Sequence, residues 1–367
     1  MDADTILWAG LDIGEDRSVL SVIGAGDAEI LASDVPTDAD AVLAALTELA
    51  PGKVERLALE AGSIGTHLVR RLRAAGLAVM ICETRQVSRY LRVRVNKTDN
   101  NDARGLAEIA RIGPSKITRV HVKSAETQRI RSKLVFRHKL NLQKVACEGM
   151  IRGLVRLNGG RFNTALQTPT FKRNVETALA QLKREKGVDL DEEILPLLAL
   201  ALSLRAFLKT LDLRLREFAE SHPICSRFLE IPGVGPVCAV SFYTVVDDPT
   251  RFADPNDVGP YLGLTPVIHQ SGKSLRHARI SKRGNKLTRS HLTMAASVIL
   301  LRCRPCYLKE WGSAVAERAG PGKARVALAR RLAVLMLTMW KYDKPYEHYF
   351  PSPLMRGRSE TSQEKQD

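Results

Sequence analysis

Four acidic residues occupy positions from which their carboxylates could serve one site. They are Asp12 in WAGLDIG, Glu60 in RLALEAG, and Asp99 with Asp102 in NKTDNNDARGLAE. Asp12 and Glu60 each follow an apolar run rich in strand-forming residues, so both are expected to project from strand ends of a central sheet. Asp99 and Asp102 are spaced i, i+3, which places them on one face of a helix.

This set of carboxylates is suited to divalent metal ions. Hard cations prefer oxygen ligands, and phosphoryl transfer commonly uses two ions about 3.5 to 4 Å apart. The four acids therefore predict a metal-dependent nuclease site of the ribonuclease-H type, with Mg²⁺ as the expected cofactor. A structural role is the competing interpretation for Asp99, because Thr98 or Asp99 could cap the helix that follows. Asp12 and Glu60 are harder to explain structurally, since acids at the ends of buried strands are costly unless they are paired.

A second fold also begins with a segment such as GLDIG. Actin-like and sugar-kinase ATPases carry an Asp after the first strand, where a glycine such as Gly14 lets the backbone approach a phosphate. These enzymes need a further phosphate-binding loop later in the chain, and the sequence contains no convincing one. The ATPase interpretation is therefore the weaker of the two.

The charge balance indicates the kind of partner. Lys and Arg number 56 against 40 Asp and Glu, which gives a net charge of +16, as expected of a protein that neutralises phosphates. Basic stretches run from 85 to 97 and from 129 to 156, and residues 267–290 contain no acid. We read no 18-residue apolar stretch and no signal peptide, and we therefore predict a cytoplasmic protein without a membrane partner.

Hydrophobic patterning predicts an α/β sheet domain followed by α-helical regions. Strand-like runs alternate with helical stretches at 38–50, 63–75 and 99–112, up to about residue 113. A basic helix is expected from about 124 to 157, and a second helical region follows a polar loop at 158–173. The predicted domains are 1–123 for the sheet, 124–222 for a helical coiled-coil region and 223–351 for a mostly helical domain, with a disordered tail at 352–367.

Apolar residues in the second helical region recur at alternating spacings of four and three. This heptad seam predicts helix packing, either with the preceding helix or with a partner subunit, and we favour dimerisation or a spacer role. Pro196 suggests that the regular helix begins there, because proline is tolerated in a first turn. The seam comprises Leu190, Ile194, Leu197, Ala201, Leu204, Leu208, Leu211, Leu215 and Phe218.

The third region contains two segments that suggest contact with nucleic acid. IPGVGP has the form of a helix-hairpin-helix turn, in which Gly233 and Gly235 permit a tight bend and the next helix start can hold a phosphate. The second segment, HQSGKSLRHARISKRGNK, is strongly basic. The residues expected to bind nucleic acid are Gly233, Gly235, Lys273, Arg276, Arg279, Lys282, Arg283 and Lys286.

Ser271 lies within this basic segment, in QSGK. Its hydroxyl is presented beside Lys273 and Arg276, which could hold a scissile phosphate. A serine must be activated by a base or a metal, and neither His269 nor His277 has an evident carboxylate to orient it. In such a segment, a serine more commonly serves only to form a turn.

The ordered set of motifs resembles, over nearly the whole chain, the DEDD transposases of the insertion-sequence 110 family. The matching segments are GLDIG, ALEAGS, NKTDNNDARGLAE, IPGVGP, RFADPNDVGPYLGLTP, HQSGK and RISKRGNKLTR. The chain reads QSGK where a common form in the family reads SSGG, which leaves Ser271 as the only serine inside the motif. Ser274 is a weaker substitute.

The resemblance implies a RuvC-like domain whose acids are Asp12, Glu60, Asp99 and Asp102, a coiled-coil spacer, and a transposase domain whose nucleophile is Ser271. It also implies a composite site across subunits of a homodimer or homotetramer, strand exchange through a phosphoserine link to DNA, and guidance by a structured RNA. Our hypothesis is therefore an RNA-guided, Mg²⁺-dependent DNA recombinase that inserts and excises an insertion sequence.

Two other functions compete with this hypothesis. A junction resolvase or nuclease would use the four acids to hydrolyse DNA with water and would not need Ser271. A non-catalytic nucleic-acid scaffold would use the basic helices and the hairpin turn, and its acids would be structural. Substituting Asp12 by Asn separates the scaffold from both enzymes, because only the scaffold would keep its full function.

Overall fold

The computed structural model describes residues 5–26, 28–49, 52–92, 96–271 and 274–349. The chain divides into two compact units, unit 1 from Met1 to Lys123 and unit 2 from Ser124 to Asp367. The predicted disordered tail at 352–367 lies outside the described residues. The predicted division of the second part at residue 222 stays a prediction.

Unit 1 is built on a five-stranded mixed sheet in the order β3-β2-β1-β4-β5. The first three strands pair antiparallel, whereas β1, β4 and β5 run parallel. This sheet is compatible with the ribonuclease-H-like domain that the sequence predicts. The elements are β1 (Ile6–Asp12), β2 (Arg17–Ile23), β3 (Glu29–Pro36), α1 (Ala39–Leu49), β4 (Lys53–Glu60), α2 (Gly65–Ala74), β5 (Val79–Cys82), α3 (Thr84–Leu91) and α4 (Asp99–Ile112).

Alternate residues of the central strands face two different helical layers, as the period of a strand requires. Leu7 and Leu11 of β1 join Leu57 and Leu59 of β4 in a core with α1 and α2. On the opposite face, Ala58 of β4 packs with Met80 and Cys82 of β5 and with the apolar side of α3 and α4. The sheet is therefore covered on both faces, and α4 lies on the face of the even-numbered residues of β1 and β4.

Unit 2 is mostly helical and contains one β-hairpin. The hairpin was not expected from the sequence, which predicts a flexible turn at QSGK. Its helices and strands are α5 (Ala125–Leu157), α6 (Thr168–Lys186), α7 (Asp191–Ser221), α8 (Pro223–Leu229), α9 (Pro236–Val246), α10 (Val258–Tyr261), β6 (Pro266–Ser271), β7 (Ser274–Ile280), α11 (Lys286–Arg302), α12 (Tyr307–Ala319), α13 (Pro321–Lys341) and α14 (Tyr346–Tyr349), with 3₁₀ turns at Pro249–Arg251 and Pro255–Asp257.

The heptad seam lies on α7 and faces the inside of unit 2. Ile194, Leu204 and Leu215 are fully or almost fully buried, and α7 packs along α5. Helices of the same chain therefore bury these residues of the seam. The role of the seam in dimerisation stays a prediction. The helix begins at Asp191 and contains Pro196, so the expected start at Pro196 is wrong. Three acids in the first turn favour the earlier start by complementing the helix dipole.

The apolar character of α7 corrects the expectation that no segment is long and apolar enough to cross a membrane. Among the described residues, Asp191–Ser221 is the one helix that meets this criterion by length and composition. A packed helix of a globular core passes the same test. Within unit 2, Arg205 of α7 pairs with Glu148 of α5 at 2.8 Å, with both side chains about nine-tenths buried.

Candidate active site

Asp12 and Glu60 end the two central parallel strands at the same edge of the sheet. The last residue pair given by their register is Leu11 with Leu59, and each acid is the next residue along its strand. Both side chains are half-buried. Since Leu11 and Leu59 face α1 and α2, the alternation of a strand turns Asp12 and Glu60 to the opposite face, which α4 covers.

Helix α4 runs antiparallel to these two strands, and two contacts fix its direction. A Cβ on Gly10 would lie 2.1 Å from the carbonyl oxygen of Ala103, so α4 rests directly on β1 there. Farther from the acids, Arg56 of β4 donates a hydrogen bond of 2.8 Å to the carbonyl of Ala110 near the helix end. The start of α4 therefore lies toward the edge at which Asp12 and Glu60 end their strands.

Asp99 and Asp102 occupy the first turn of α4. The N-cap is Thr98, whose hydroxyl accepts a hydrogen bond of 3.2 Å from the amide of Asn101. Asp99 is therefore not the cap, which removes the structural explanation offered for it. The side chain of Asp102 is only 16% exposed, and Lys97 places its Nζ 3.8 Å from the Asp102 carboxylate.

The other three acids act electrostatically on Asp12. The pKa of Asp12 is raised from its ordinary value of 3.8 to about 6, first because burial disfavours the charged carboxylate. The negative charges of Asp102, Asp99 and Glu60 raise the pKa of Asp12 further, and the cation of Lys97 opposes them. Burial, with a smaller effect of Glu60, also raises the pKa of the Cys82 thiol to about 12. All four predicted acids thus lie in one electrostatic neighbourhood.

The donor set suits a divalent cation, although the carboxylates do not close around one point. Oxygen-only ligands with mutual repulsion are what a hard cation relieves when it binds. Within the described ranges, no three His, Cys, Asp or Glu side chains lie close enough together to hold one ion. Asp12, Glu60, Asp99 and Asp102 are the residues whose carboxylates could serve as metal ligands.

Ser271, the predicted nucleophile, belongs to unit 2. It is the last residue of β6 and pairs with Ser274, the first residue of β7, so it stands at the tip of the hairpin. The side chains of Ser271 and Arg276 lie outside what the structure describes, and Lys273 lies outside the described residues altogether. The acids and the serine are therefore in different units.

The loop that follows the hairpin is held firmly at its base. The amides of Ser281 and Lys282 donate to the carbonyls of Thr265 and Gly263 at 2.9 and 3.2 Å. Gly263 has a φ of +67°, and a Cβ there would lie 2.0 Å from the carbonyl oxygen of Arg283. Four exposed cations lie on or beside the loop that this close crossing holds. They are Arg279, Lys282, Arg283 and Lys286.

The predicted helix-hairpin-helix turn connects α8 to α9. Gly233 has a φ of +81°, and a Cβ there would lie 2.6 Å from Cγ1 of Ile299. Gly235 is the N-cap of α9 at a φ of −97° and has open space beside it. Of these two positions, only position 233 therefore requires a glycine. Phosphate binding at this turn stays a prediction.

Sequence reasoning missed two residues that shape the acidic site. Lys97 was noted only as the end of a basic stretch, although its position just before the helix brings it to Asp102. Gly10 was not singled out, although it is the point at which α4 touches the sheet. A small residue in the middle of an apolar strand was the available signal for such a close approach.

Comparison with known proteins gives consistent matches along the chain. Residues 9–156 match a family model of DEDD transposases of the IS110 type, and residues 225–311 match the model described as "Transposase IS116/IS110/IS902 family". The two matched segments together make up more than half of the chain.

Three relatives span different shares of the chain. The transposase for insertion sequence element IS1111A of Coxiella burnetii is 28% identical over 80% of this chain and 80% of its own length. A 44.8 kDa protein of insertion element IS116 of Streptomyces clavuligerus is 25% identical over 95% of this chain and 97% of its own. The transposase for IS1328 of Yersinia enterocolitica is 27% identical over 44% of this chain and 52% of its own length. The chain belongs to the IS116/IS110/IS902 family of transposases.

Proposed function

We propose that this protein is a metal-dependent DNA transposase that cuts and rejoins DNA strands through a covalent link to Ser271. The observation that supports the proposal is that the strand ends at Asp12 and Glu60 and the first turn of α4, which carries Asp99 and Asp102, lie toward the same edge of the sheet. Burial and the other three carboxylates act together to raise the pKa of Asp12. The names of the relatives favour transposition over simple hydrolysis.

The acids would hold a divalent cation, for which Mg²⁺ is our choice. When bound, the metal neutralises charge on the phosphate and on the attacking and leaving oxygens. Asp12 and Glu60 would supply ligands from the sheet edge, and Asp99 and Asp102 would supply them from the first helical turn of α4. Lys97, at 3.8 Å from Asp102, offsets the negative charge of the acids before a metal arrives.

Ser271 performs the covalent step. Its Oγ attacks the scissile phosphorus, a bond from Oγ to phosphorus forms, and one bridging bond from phosphorus to a deoxyribose oxygen breaks. The serine proton leaves and a proton is delivered to the departing DNA hydroxyl, so the charge is unchanged overall. Rejoining is the reverse reaction with the hydroxyl of another strand. The position of Ser271 at the end of β6, where it pairs with Ser274 next to the hairpin turn, supports this role.

A structured RNA and a second subunit complete the proposed assembly. The net charge of +16 supports binding of more than one nucleic-acid backbone. The acids and the serine belong to different units, which is compatible with a composite site that draws one set from each subunit. We propose a homodimer or homotetramer in which the RNA supplies sequence recognition.

A covalent protein–DNA adduct is the direct test of this function. Purified protein with its co-purifying RNA, Mg²⁺ and labelled element-end DNA should yield an adduct that resists denaturing electrophoresis. Ser271→Ala should abolish the adduct because it removes the nucleophile, and Asp102→Asn should abolish it because it removes a metal ligand. Ser274→Ala is the matched control and should retain the adduct.

Two outcomes would contradict the proposal. DNA cleavage without an adduct that persists in Ser271→Ala would identify a hydrolytic nuclease. Binding of DNA and RNA without any cleavage in the wild type, unchanged in Asp12→Asn, would identify a scaffold.

A further inference from the structure

A large groove lies within unit 2, between α12, α13 and the base of the β6–β7 hairpin. Its volume is about 1490 Å³. We call it the α13 groove, since residues 322–338 of that helix form much of its wall. The groove plays no part in the covalent step described above. Two of its lining residues, Arg279 and Lys282, belong to the basic segment that the sequence predicts to bind nucleic acid, and no motif indicated the other lining residues.

The rim of the α13 groove is basic. Five cations line it, and no acid is among the lining residues. None of the five forms an ion pair with a described residue of the chain. The cations are Arg279, Lys282, Lys323, Arg330 and Arg331. This rim fits a polyanion, because uncompensated cations at a concave surface concentrate negative charge.

The floor of the α13 groove is apolar, with Leu264, Val326, Val334 and Leu335 among its residues. Apolar side chains offer nothing to a phosphate, so the rim and the floor require different parts of one ligand. An intact duplex presents phosphates outward and keeps its bases stacked inside. An unpaired strand, in contrast, can turn its bases to the floor while its phosphates stay at the rim.

One wall carries a ready platform for a base. The Arg331 guanidinium lies 4.6 Å from the ring centroid of Trp311 and 5.1 Å from that of Tyr307, and it donates a hydrogen bond of 2.8 Å to the Tyr307 hydroxyl. The guanidinium is therefore held in place by its neighbours. Planar Arg and aromatic groups are the surfaces on which unpaired bases stack.

The location of the α13 groove selects DNA over RNA as its ligand. The groove includes Pro266, the first residue of the strand that ends at Ser271. Five residue steps of an extended strand span about 16 Å, so a strand held in the groove can continue along the hairpin to its tip. This selection rests on the proposed function, in which the strand at Ser271 is DNA.

We propose that the α13 groove binds an unpaired segment of the DNA strand next to the scissile phosphate. The phosphates lie along Arg279, Lys282, Lys323 and Arg330, and a base stacks at Trp311 and Arg331. Binding in the groove would keep the strand out of the duplex while Ser271 acts on it.

Binding by single strands tests the inference without any catalysis. Fluorescence anisotropy in EDTA would compare a labelled oligothymidylate, an oligouridylate of equal length and a blunt duplex. Lys323→Gln with Arg330→Gln should weaken oligothymidylate binding by about tenfold at low salt and reduce the slope of its salt dependence by about 1.4, because two phosphate contacts are lost. Arg318→Gln with Arg325→Gln is the matched control, since both are exposed cations of α12 and α13 outside the groove.

Photocrosslinking locates the base independently. An oligodeoxynucleotide with 5-iododeoxyuridine should crosslink to Trp311, which lines the groove, and the crosslinked peptide is identified by mass spectrometry. Equal loss of binding in the groove and control variants would overturn the inference, as would crosslinks confined to other peptides. Tighter binding of the RNA than of the DNA through the same residues would overturn the assignment to DNA.

The outcomes for the groove and for the proposed function are separable. If the adduct forms normally in Lys323→Gln with Arg330→Gln and the oligonucleotides do not bind in the groove, only the groove inference fails. If the groove variants lose single-strand binding but the wild type never forms an adduct, the groove binds single strands and the proposed function fails.

Discussion

Asp12, which we propose as a metal ligand, is a carboxylate whose charge opposes folding. It is half-buried at a strand end, and three other acids raise its pKa in addition to the effect of burial. A site of this kind is costly without a cation, because like charges are held together in partly desolvated surroundings. This cost is one reason for our proposal that the four acids bind a cation.

The pH dependence of stability should reveal this cost. In the folded protein Asp12 keeps its proton up to a pH of about 6, whereas its ordinary pKa is 3.8. Its contribution to stability is therefore full below the ordinary value and is lost as pH rises through about 6. Without metal, Asp12→Asn should unfold at higher urea concentration than the wild type near neutral pH, and the difference should vanish in acid.

Asp16→Asn is the control for this comparison, since Asp16 is an exposed acid just after the same strand. Urea unfolding of all three proteins in EDTA over this pH range provides the measurement. If Asp12→Asn is less stable than the wild type near neutral pH, the charged Asp12 carboxylate does not destabilise the folded protein.

At the scale of elements, the site depends on the fit of α4 against β1. Gly10→Ala would place a methyl group within 2.2 Å of two backbone atoms of α4, at Ala103 and Ala107. The backbone of a helix cannot move aside as the end of a flexible side chain can. Unit 1 should therefore lose about 1 to 3 kcal/mol of stability or more. Metal binding should weaken as well, because α4 carries Asp99 and Asp102. Gly26→Ala is the control, since nothing lies within 4 Å of its added methyl group.

Thermal unfolding and Mn²⁺ titration of both glycine variants test this coupling. Wild-type stability in Gly10→Ala would mean that α4 does not rest on β1 as described. If Gly10→Ala loses stability but binds metal as the wild type does, the packing of α4 on β1 does not affect the metal site.

A second pair of glycines isolates the turn between α8 and α9. Gly233→Ala must adopt a φ of +81° and displace Ile299, whereas Gly235→Ala has ordinary φ and open space. The backbone conformation alone should cost Gly233→Ala about 1 to 2 kcal/mol, and the methyl group must also displace Ile299. Gly235→Ala should cost less, about 0.5 kcal/mol, because Gly235 is the N-cap of α9 and glycine is preferred to alanine there. Chemical unfolding of the two variants should rank them in this order, and the reverse order would contradict the described turn.

Local elements of the fold were predictable from the sequence, whereas their pairing was not. The helix at 99–112 and the strand runs that end at Asp12 and near Glu60 were read from hydrophobic periodicity, and the structure confirms them. The β6–β7 hairpin was missed because HQSGKSLRHARI is polar and basic and lacks the apolar alternation that marks a strand. The start of α7 was misplaced because Pro196 was weighed above the acids that precede it.

The candidate site was predictable in its residues and only partly in its geometry. Acids that follow apolar strands point to the sheet edge, so Asp12 and Glu60 could be paired from the sequence. The register that aligns their strands and the antiparallel course of α4 are nonlocal features, and local patterns do not encode them. The α13 groove is assembled from α12, α13 and the hairpin base, which explains why the basic segment indicated only Arg279 and Lys282 of its lining residues.

For the whole molecule, charge governs affinity for nucleic acid. With a net charge of +16, the full chain should bind duplex DNA mainly through phosphates. If roughly six to ten phosphates are contacted, affinity should fall about 10³- to 10⁵-fold between about 50 and 200 mM salt. Filter binding or anisotropy across this range measures the slope. A flat salt dependence would contradict a binding surface made of basic residues.

Metal binding by the four acids tests the central claim most directly. Isothermal titration of Mn²⁺ into the full-length protein would compare the wild type with Asp12→Asn, Glu60→Gln, Asp99→Asn and Asp102→Asn, with Asp16→Asn as the control. Each of the four substitutions should remove or strongly weaken the same binding event, and the control should titrate as the wild type does. Wild-type binding in all four variants would show that these acids do not form a metal site and would remove the basis of the proposed mechanism.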